Sequence, residues 1–311
     1  MLPSRPLNWV TPHPVVESVG YETSHGWDRG DLYRPSSAGR HPGVVVCLGV
    51  VPFGVDHPQV PRLGEALARS GFAALLYWSP AMRAYRLDPA DIDDIASAYQ
   101  ALLERPDIDR ARSGLLGTCV GGAFAFMAAA SARIRDRVSF VSAYAPYASM
   151  WSLAEDIISG SRLNDGMRET WDVDPLTRKV YEHSVTALLA SPEARAPLLR
   201  TLGAAEAEDA LRTLPEEMCE RLTAMSPIKY VREIRAPLIV LLHDVDDPVI
   251  PVSQSRCLRD ALSMRGGLHY TEFTVFKHLD PTKTHPKPLA LARELVRFAR
   301  AIYPLYDQAV A

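Results

Sequence analysis

Short apolar runs alternate with helical stretches along most of this chain, and that rhythm limits the folds open to it. The run at residues 44–48 contains no polar position, which is typical of a strand buried on both faces. Such strands occur in parallel sheets that are covered by helices on both sides. The sequence therefore predicts an α/β fold with a doubly wound, mostly parallel sheet.

Further strands are predicted in the same rhythm, and the first two are expected to pair as a hairpin at one edge of the sheet. The predicted segments are 15–21, 30–33, 72–77, 114–117, 138–144, 237–242 and 270–276. A closing helix follows the last strand, and its apolar residues recur at i, i+4, i+7 and i+11. We expect this stripe to face the sheet; it consists of Leu291, Leu295, Phe298 and Ile302.

The strand rhythm stops between residues 148 and 226, where only helical segments and turn residues occur. It resumes with the segment at 237–242. Because the rhythm returns, residues 1–147 and 227–311 are interpreted as one core rather than as two separate domains. Residues 148–226 are then a helical cap, inserted into the core and lying over the mouth of the expected site.

The charge balance of the chain gives no general reason to bind polyanions. It has 34 basic and 37 acidic side chains, a formal net charge of −3, so neither nucleic acid nor an anionic membrane surface is expected as a partner. No run reaches the ~18 apolar residues of a membrane span, and the proline-broken N-terminal stretch lacks the apolar run of a signal peptide. We predict a cytoplasmic protein; the sequence leaves a homodimer open.

The cysteines of the chain are widely scattered, without a Cys-x-x-Cys pair; they are Cys47, Cys119, Cys219 and Cys257. A disulfide framework and a zinc site are therefore not expected. No two histidines have the spacing of metal ligands either. The sequence predicts no metal and no cofactor.

Residues 117–122, with the sequence Gly-Thr-Cys-Val-Gly-Gly, lie directly between a predicted strand and a helix of small residues. This is the setting of a nucleophile elbow, a turn so tight that glycine must stand two residues before and two after the nucleophile. Cys119 would rise above the sheet edge at a helix N-terminus, which favours a thiolate. The next amide, that of Val120, would point to where an oxyanion forms. The spacing fits neither of the common phosphate-binding glycine loops.

With this turn the sequence resembles the α/β-hydrolase superfamily, and specifically its dienelactone-hydrolase-like branch. That branch carries Gly-x-Cys-x-Gly-Gly where most relatives have serine as the nucleophile. The resemblance covers roughly residues 40–300, through three separated motifs in the family order of nucleophile, acid and histidine. Bacterial polyester synthases also use this cysteine box, so the box indicates the type of nucleophile better than it indicates the reaction.

The resemblance implies a catalytic acid on the loop after the penultimate strand, typically in an Asp-x-x-Val/Ile-Pro setting. Asp247 fits this setting with one extra apolar residue, and Asp246 and then Asp244 are the alternatives. A carboxylate here would accept the Nδ1–H of the catalytic imidazole and fix its tautomer. The sequence departs from the family at the strand end, where Asp244 follows His243 in place of the usual His-Gly.

The family's histidine follows the last strand, where this sequence has two. His278 lies two residues beyond Phe276, and His285 lies just before the final helix. The loop is expected to bring the ring over the elbow soon after the strand ends, which favours His278 as the base; His285 is the alternative.

The second oxyanion donor should come from the loop after the strand at 44–49. Leu48-Gly49 stands here where the family often has His-Gly, which makes Val50 the expected donor and Val51 the alternative. Pro52 is excluded because it has no N–H group.

Three residues are candidates for substrate binding, namely Arg83 and Tyr144 in loops after other strands and Trp151 in the insertion. Arg83 would hold a substrate carboxylate, as arginines do in dienelactone hydrolases; a surface ion pair is the alternative.

Together these parts predict a hydrolase of the carboxylic ester class, acting on a small acyl substrate through a Cys-His-Asp triad and an acyl-cysteine intermediate. Cysteine in place of serine favours activated esters, lactones and thioesters. An acyltransferase or polyester-forming enzyme with the same triad is the first alternative. A non-catalytic protein that binds a small ligand is the second.

Overall fold

A computed structural model describes residues 11–51, 54, 57–186, 189, 191–278 and 286–310. At its centre is an eight-stranded sheet with the order β1-β2-β4-β3-β5-β6-β9-β10. The strands are β1 (Val15–Thr23), β2 (Gly26–Arg34), β3 (His41–Cys47), β4 (Ala73–Tyr77), β5 (Ile108–Thr118), β6 (Phe140–Tyr144), β9 (Leu238–Asp244) and β10 (Leu268–Phe273). All neighbours from β4 to β10 are parallel, whereas β1 and β2 form an antiparallel hairpin at one edge. The predicted mostly parallel sheet, with its edge hairpin, is confirmed.

Helices cover both faces of the sheet, as the apolar strands require. Within β3, Val45 belongs to one core cluster and Val44 and Val46 to the other, so successive side chains enter opposite cores. The core helices are α1 (Gln59–Arg69), α2 (Pro80–Arg83), α3 (Asp91–Glu104), α4 (Cys119–Ala130), α10 (Val252–Leu262) and α11 (Pro288–Val310). Because the parallel strands end at one edge, the loops after β3, β5, β6, β9 and β10 converge there.

In its described residues the insertion between β6 and β9 contains five α-helices and a two-stranded sheet. The helices are α5 (Met150–Ser159), α6 (Pro175–Ser184), α7 (Pro192–Leu199), α8 (Ala204–Arg212) and α9 (Glu216–Ala224); the strands are β7 (Ser161–Asn164) and β8 (Met167–Thr170). The expectation of a purely helical insertion is therefore wrong at this hairpin. Its short strands are polar and half-exposed, so they lack an apolar run. Asp165 and Gly166, with φ of 47° and 83°, make the tight turn that joins them.

The closing helix α11 packs on the sheet through its second half only. Ala301 and Leu305 are buried, whereas Leu291 and Leu295 are 37% and 50% exposed, so the predicted stripe is wrong for its first two members. The reason is length: 23 residues of helix span about 34 Å, which exceeds the roughly 23 Å of a seven-residue strand such as β9. Among the helices of the described residues, none is long and apolar enough to cross a membrane.

Candidate active site

The sharp turn between β5 and α4 presents the Cys119 thiol. Strand β5 ends at Thr118, and Cys119 has a φ of 54°, in the left-handed region that non-glycine residues seldom adopt. The Thr118 hydroxyl donates to the carbonyl of Leu48 at 2.9 Å, which ties the turn to the loop after β3. Cys119 is half-buried, while every other residue of α4 is fully buried. The thiol therefore stands at the one accessible point of this helix.

Glycine is required on both sides of this turn. A Cβ on Gly117 would lie 2.6 Å from the carbonyl oxygen of Gly121. A Cβ on Gly121 would lie 2.3 Å from the carbonyl oxygen of Cys47 and 2.4 Å from the amide nitrogen of Gly49. These clashes are with backbone atoms, which have no rotamer by which to move away. The predicted steric need for glycine two residues before and after Cys119 is confirmed.

His278 connects the thiol to a carboxylate. Its Nδ1 lies 2.7 Å from Oδ2 of Asp247, and the Cys119 side chain is close enough to the ring to raise its pKa. Lys277 and His278 both have positive φ, at 43° and 62°, and this backbone turn aims the ring back towards the elbow. The structure thus brings together three of the residues predicted from the sequence, each from the end of a different strand.

Asp247 accepts hydrogen bonds at both carboxylate oxygens. Its side chain is fully buried, and Oδ1 accepts from the amides of Val249 at 2.8 Å and Ile250 at 3.0 Å. Asp246 instead lies 61% exposed, with Oδ2 at 2.9 Å from Nζ of Lys277. Of the three aspartates considered, it is therefore Asp247 that meets the imidazole. The alternative base, His285, falls outside the described residues.

The pKa values of the imidazole and its acid move in opposite directions. Burial alone would lower the pKa of His278, but the charges and hydrogen bonds of Asp247 and Cys119 raise it well above the ordinary value of 6.5. Burial alone would raise the pKa of Asp247, but His278 outweighs burial and holds it below its ordinary value. The pair therefore favours an imidazolium beside a carboxylate.

This shift gives a prediction for stability. Because the pKa of His278 is higher in the folded state, the stabilisation it provides is fully present below its unfolded-state pKa and is lost as pH rises through the folded-state value. We expect the difference in unfolding free energy between the wild type and His278→Gln to be largest near about pH 6 and to shrink at alkaline pH. Urea unfolding from pH 6 upwards measures it, and a pH-independent difference would contradict the coupling.

A second histidine lies beside the acid, and the sequence analysis gave it no role. His243 is fully buried; its Nε2 lies 2.9 Å from the carbonyl oxygen of Ile250, and its Nδ1 lies 2.6 Å from Oγ of Ser255. Burial lowers its pKa, so it is neutral at neutral pH and donates from Nε2 to the loop. His243 thus supports the loop of Asp247.

The insertion is hydrogen-bonded directly to the loop at residues 245–251, which carries Asp247 and is called the acid loop below. Arg162 Nη1 donates to the carbonyl of Asp247 at 3.2 Å. Trp171 Nε1 donates to that of Pro248 at 3.2 Å. Thr177 Oγ1 donates to that of Val249 at 3.1 Å. With the bond from His243, four consecutive carbonyls of this loop have side-chain partners. The sequence pattern does not predict these contacts, because the donor and the acceptor of each bond lie 72–85 residues apart in the chain.

Removal of one of these bonds should have a measurable but modest effect. Thr177→Val keeps the shape of the side chain and removes the hydroxyl that binds the Val249 carbonyl. We expect kcat to fall about three- to tenfold, since a single neutral hydrogen bond contributes about 1 kcal/mol. Steady-state kinetics measure the effect, with Thr213→Val, on an exposed hydroxyl of the same insertion, as the control. Equal kinetics in both variants would show that this bond does not support the acid loop.

Two predicted oxyanion donors lie near the thiol. The loop of Gly49 and Val50 runs against the first turn of α4, since a Cβ on Gly49 would meet the amide nitrogen of Gly121 at 2.8 Å. The first amides of a helix, here including that of Val120, have no acceptor within the helix. The segments that carry Val50 and Val120 therefore lie against each other at the elbow, and the binding of an oxyanion by their amides stays a prediction.

The three candidate substrate-binding residues lie in different settings. Arg83 is exposed, and its guanidinium lies 5.8 Å from the ring centre of Trp78. Tyr144 is buried at the end of β6, close enough to Asp244 and Asp247 that their charges, after burial, raise its pKa. Trp151 is half-buried and donates from Nε1 to Oγ1 of Thr223 at 3.1 Å, within the insertion. None of these contacts joins the three residues to one another.

Solved structures show that this chain has the α/β-hydrolase fold. It aligns with the Pyrococcus horikoshii acylaminoacyl peptidase at 14% identity and a TM-score of 0.57, over 88% of this chain and 39% of the peptidase. It aligns with 2,6-dihydroxy-pseudo-oxynicotine hydrolase at 17% identity and a TM-score of 0.60, over 96% and 69%. It aligns with a structure described as m3DLH at 17% identity and a TM-score of 0.55, over 96% and 99%.

The chain therefore spans about two fifths of the peptidase chain. Neither protein-family models nor curated protein sequences give a match. At such low identities the likeness is one of fold.

Proposed function

We propose that this protein is a hydrolase that cleaves an activated ester, lactone or thioester of a small molecule through an acyl-cysteine intermediate. The observation that carries the proposal is the position of His278, whose Nδ1 lies 2.7 Å from Oδ2 of Asp247 and whose pKa is raised by the nearby Cys119 side chain. A nucleophile, a base within hydrogen-bonding reach and a group that orients the base are the parts of nucleophilic catalysis.

The proposed reaction has two halves. The Cys119 thiolate forms a bond to the substrate carbonyl carbon, and the amides of Val120 and Val50 stabilise the negative oxygen. The carbonyl then re-forms, the bond to the leaving group breaks, and the imidazolium of His278 gives that group its proton. In the second half His278 takes a proton from water, and the resulting hydroxide attacks the thioester carbon. The bond from carbon to sulfur then breaks, which regenerates the Cys119 thiolate and releases the carboxylic acid product.

The nucleophile narrows the class of substrate. A thiolate is a better leaving group than an amine, so its tetrahedral adduct with an amide tends to revert to substrate. Activated esters, lactones and thioesters have leaving groups that compete well with the thiolate. The neighbours in the structural comparison are named as hydrolases and peptidases, which agrees with the hydrolase class.

Intact-mass spectrometry after short incubation with an aryl ester, a lactone and an acyl thioester tests the proposal. We expect a mass increase of one acyl group on the wild type with at least one of them, and none on Cys119→Ala. Addition of an alcohol or thiol acceptor shows whether water is the preferred second substrate. A panel that gives neither adduct nor turnover would favour a protein that only binds a ligand.

A further inference from the structure

A carboxylate outside the proposed triad, that of Asp244, is inaccessible to solvent at the end of β9. Its Oδ2 accepts from the amide of Phe276 at 2.6 Å and from that of Lys277 at 3.1 Å. Its Oδ1 accepts from the amide of Asp246 at 3.3 Å. One side chain therefore binds the loop that carries His278 and also the loop that carries Asp247.

The loop held by Asp244 has an unfavourable backbone conformation. Lys277 and His278 are consecutive non-glycine residues in the left-handed region, with φ of 43° and 62°. Such conformations persist only where surrounding contacts fix them. Two of the fixing contacts here are the bonds from Asp244 to the amides of Phe276 and Lys277, immediately before the imidazole.

Burial and hydrogen bonding act in opposite directions on the charge of Asp244. Burial raises the pKa of Asp244 above its ordinary value, although the amides of Lys277, Phe276 and Asp246 each lower it. A buried carboxylate needs hydrogen-bond donors around it, and here the donors are these three backbone amides.

We propose that Asp244 is a positioning residue that holds the backbone of the histidine loop so that His278 reaches Cys119 and Asp247 together. The inference rests on the proposed function, because it gives His278 the role of base. Asp244 itself contacts neither the substrate nor the thiol in this scheme. It acts through the amides of Phe276 and Lys277. Glycine, which is common at this position in the family that the sequence resembles, has no side chain to accept these hydrogen bonds.

The test compares Asp244→Ala, Asp244→Gly and Asp244→Asn with the control Asp209→Ala, which removes an exposed acid on α8 of the insertion. Because misplacement of a catalytic group by about 1 Å costs about 100-fold, we expect Asp244→Ala and Asp244→Gly to lower kcat by about that factor. KM should change by less than about threefold, since substrate binding is not involved. Asp244→Asn keeps one acceptor oxygen and should recover most of the activity. Asp209→Ala should match the wild type.

A second readout does not depend on turnover. Alkylation of Cys119 by iodoacetamide, followed against pH, reports the influence of His278 on the thiol. In Asp244→Gly we expect this profile to move towards that of His278→Gln, and in Asp244→Asn to stay near the wild type. Urea unfolding identifies any variant that has lost its fold, and Asp244→Gly is the variant to use if Asp244→Ala is unfolded.

The outcomes separate the two proposals. A folded Asp244→Gly with wild-type kcat and a wild-type alkylation profile would overturn the positioning role. Equal losses in Asp244→Asn and Asp244→Ala would also overturn it, because acceptance by a single oxygen would then not matter. Undiminished turnover in Cys119→Ala would overturn the proposed function instead. An inactive Cys119→Ala beside a fully active Asp244→Gly would leave the function standing and remove only the role of Asp244.

Discussion

Cys119→Ala is expected to lower kcat for an activated ester by at least about 10⁴-fold, because no other group can form the acyl intermediate. The variant keeps the amides of Val120 and Val50, and donors of this kind retain part of the catalysis when a nucleophile is lost. The fold should be unaffected, since the half-buried Cys119 side chain is replaced by the smaller alanine. Loss of activity should therefore occur without loss of stability.

Two further variants make this expectation specific. Cys257→Ala removes an exposed cysteine far from the elbow and should leave kcat unchanged. Cys119→Ser keeps a nucleophilic position but replaces sulfur with the less nucleophilic hydroxyl oxygen, so we expect activity between those of the wild type and Cys119→Ala. Steady-state kinetics with one aryl ester and matched protein concentrations measure all three. If Cys119→Ala retained wild-type turnover, the reaction would have to run at another site.

Gly121→Ala should have the largest effect on stability. The added Cβ would lie 2.3 Å from the carbonyl oxygen of Cys47 and 2.4 Å from the amide nitrogen of Gly49. Both are backbone atoms next to the end of the central strand β3, so relief of the clash requires the helix α4 to move away from the sheet. We expect a loss of about 3 kcal/mol or more in unfolding free energy, the upper end of the cost of overpacking.

Gly266→Ala is the matched control for this prediction. A Cβ at Gly266 would meet no atom within 4 Å, so the substitution is free of clashes. Its unfolding free energy should lie within about 1 kcal/mol of the wild-type value. Any change should be a gain in stability, because alanine lowers the conformational entropy of the unfolded chain. Urea unfolding gives both values, provided that the slope m is unchanged. Similar midpoints for the two variants would mean that the elbow tolerates a side chain.

The sequence predicts those parts of the molecule that are determined by interactions between residues close together in the chain. The strand at 44–48 is apolar at every position because both faces are buried, and this can be recognised without a partner strand. The steric demand of the elbow is equally local, since it concerns residues within a few positions of Cys119. The hairpin of β7 and β8 was missed, although its Asp165-Gly166 pair is a strong turn signal, because its strands carry few apolar side chains.

Contacts between distant segments could not be predicted in the same way. Three aspartates lie within four positions, and their side chains are chemically identical. The course of the folded backbone decides which of them is buried against an imidazole. The replacement of glycine by Asp244 was visible as a departure from the family. Its partners, the amides of Phe276 and Lys277, are 32 and 33 residues away and carry no side-chain signature.

The hydrogen bonds between the insertion and the loop of Asp247 also join these two segments mechanically. Displacement of the segment that carries Arg162, Trp171 and Thr177 would break three hydrogen bonds, together about 2–5 kcal/mol. It would also leave the carbonyls of residues 247–249 without these partners. The insertion therefore cannot shift without disturbing the backbone that places the Asp247 carboxylate beside His278.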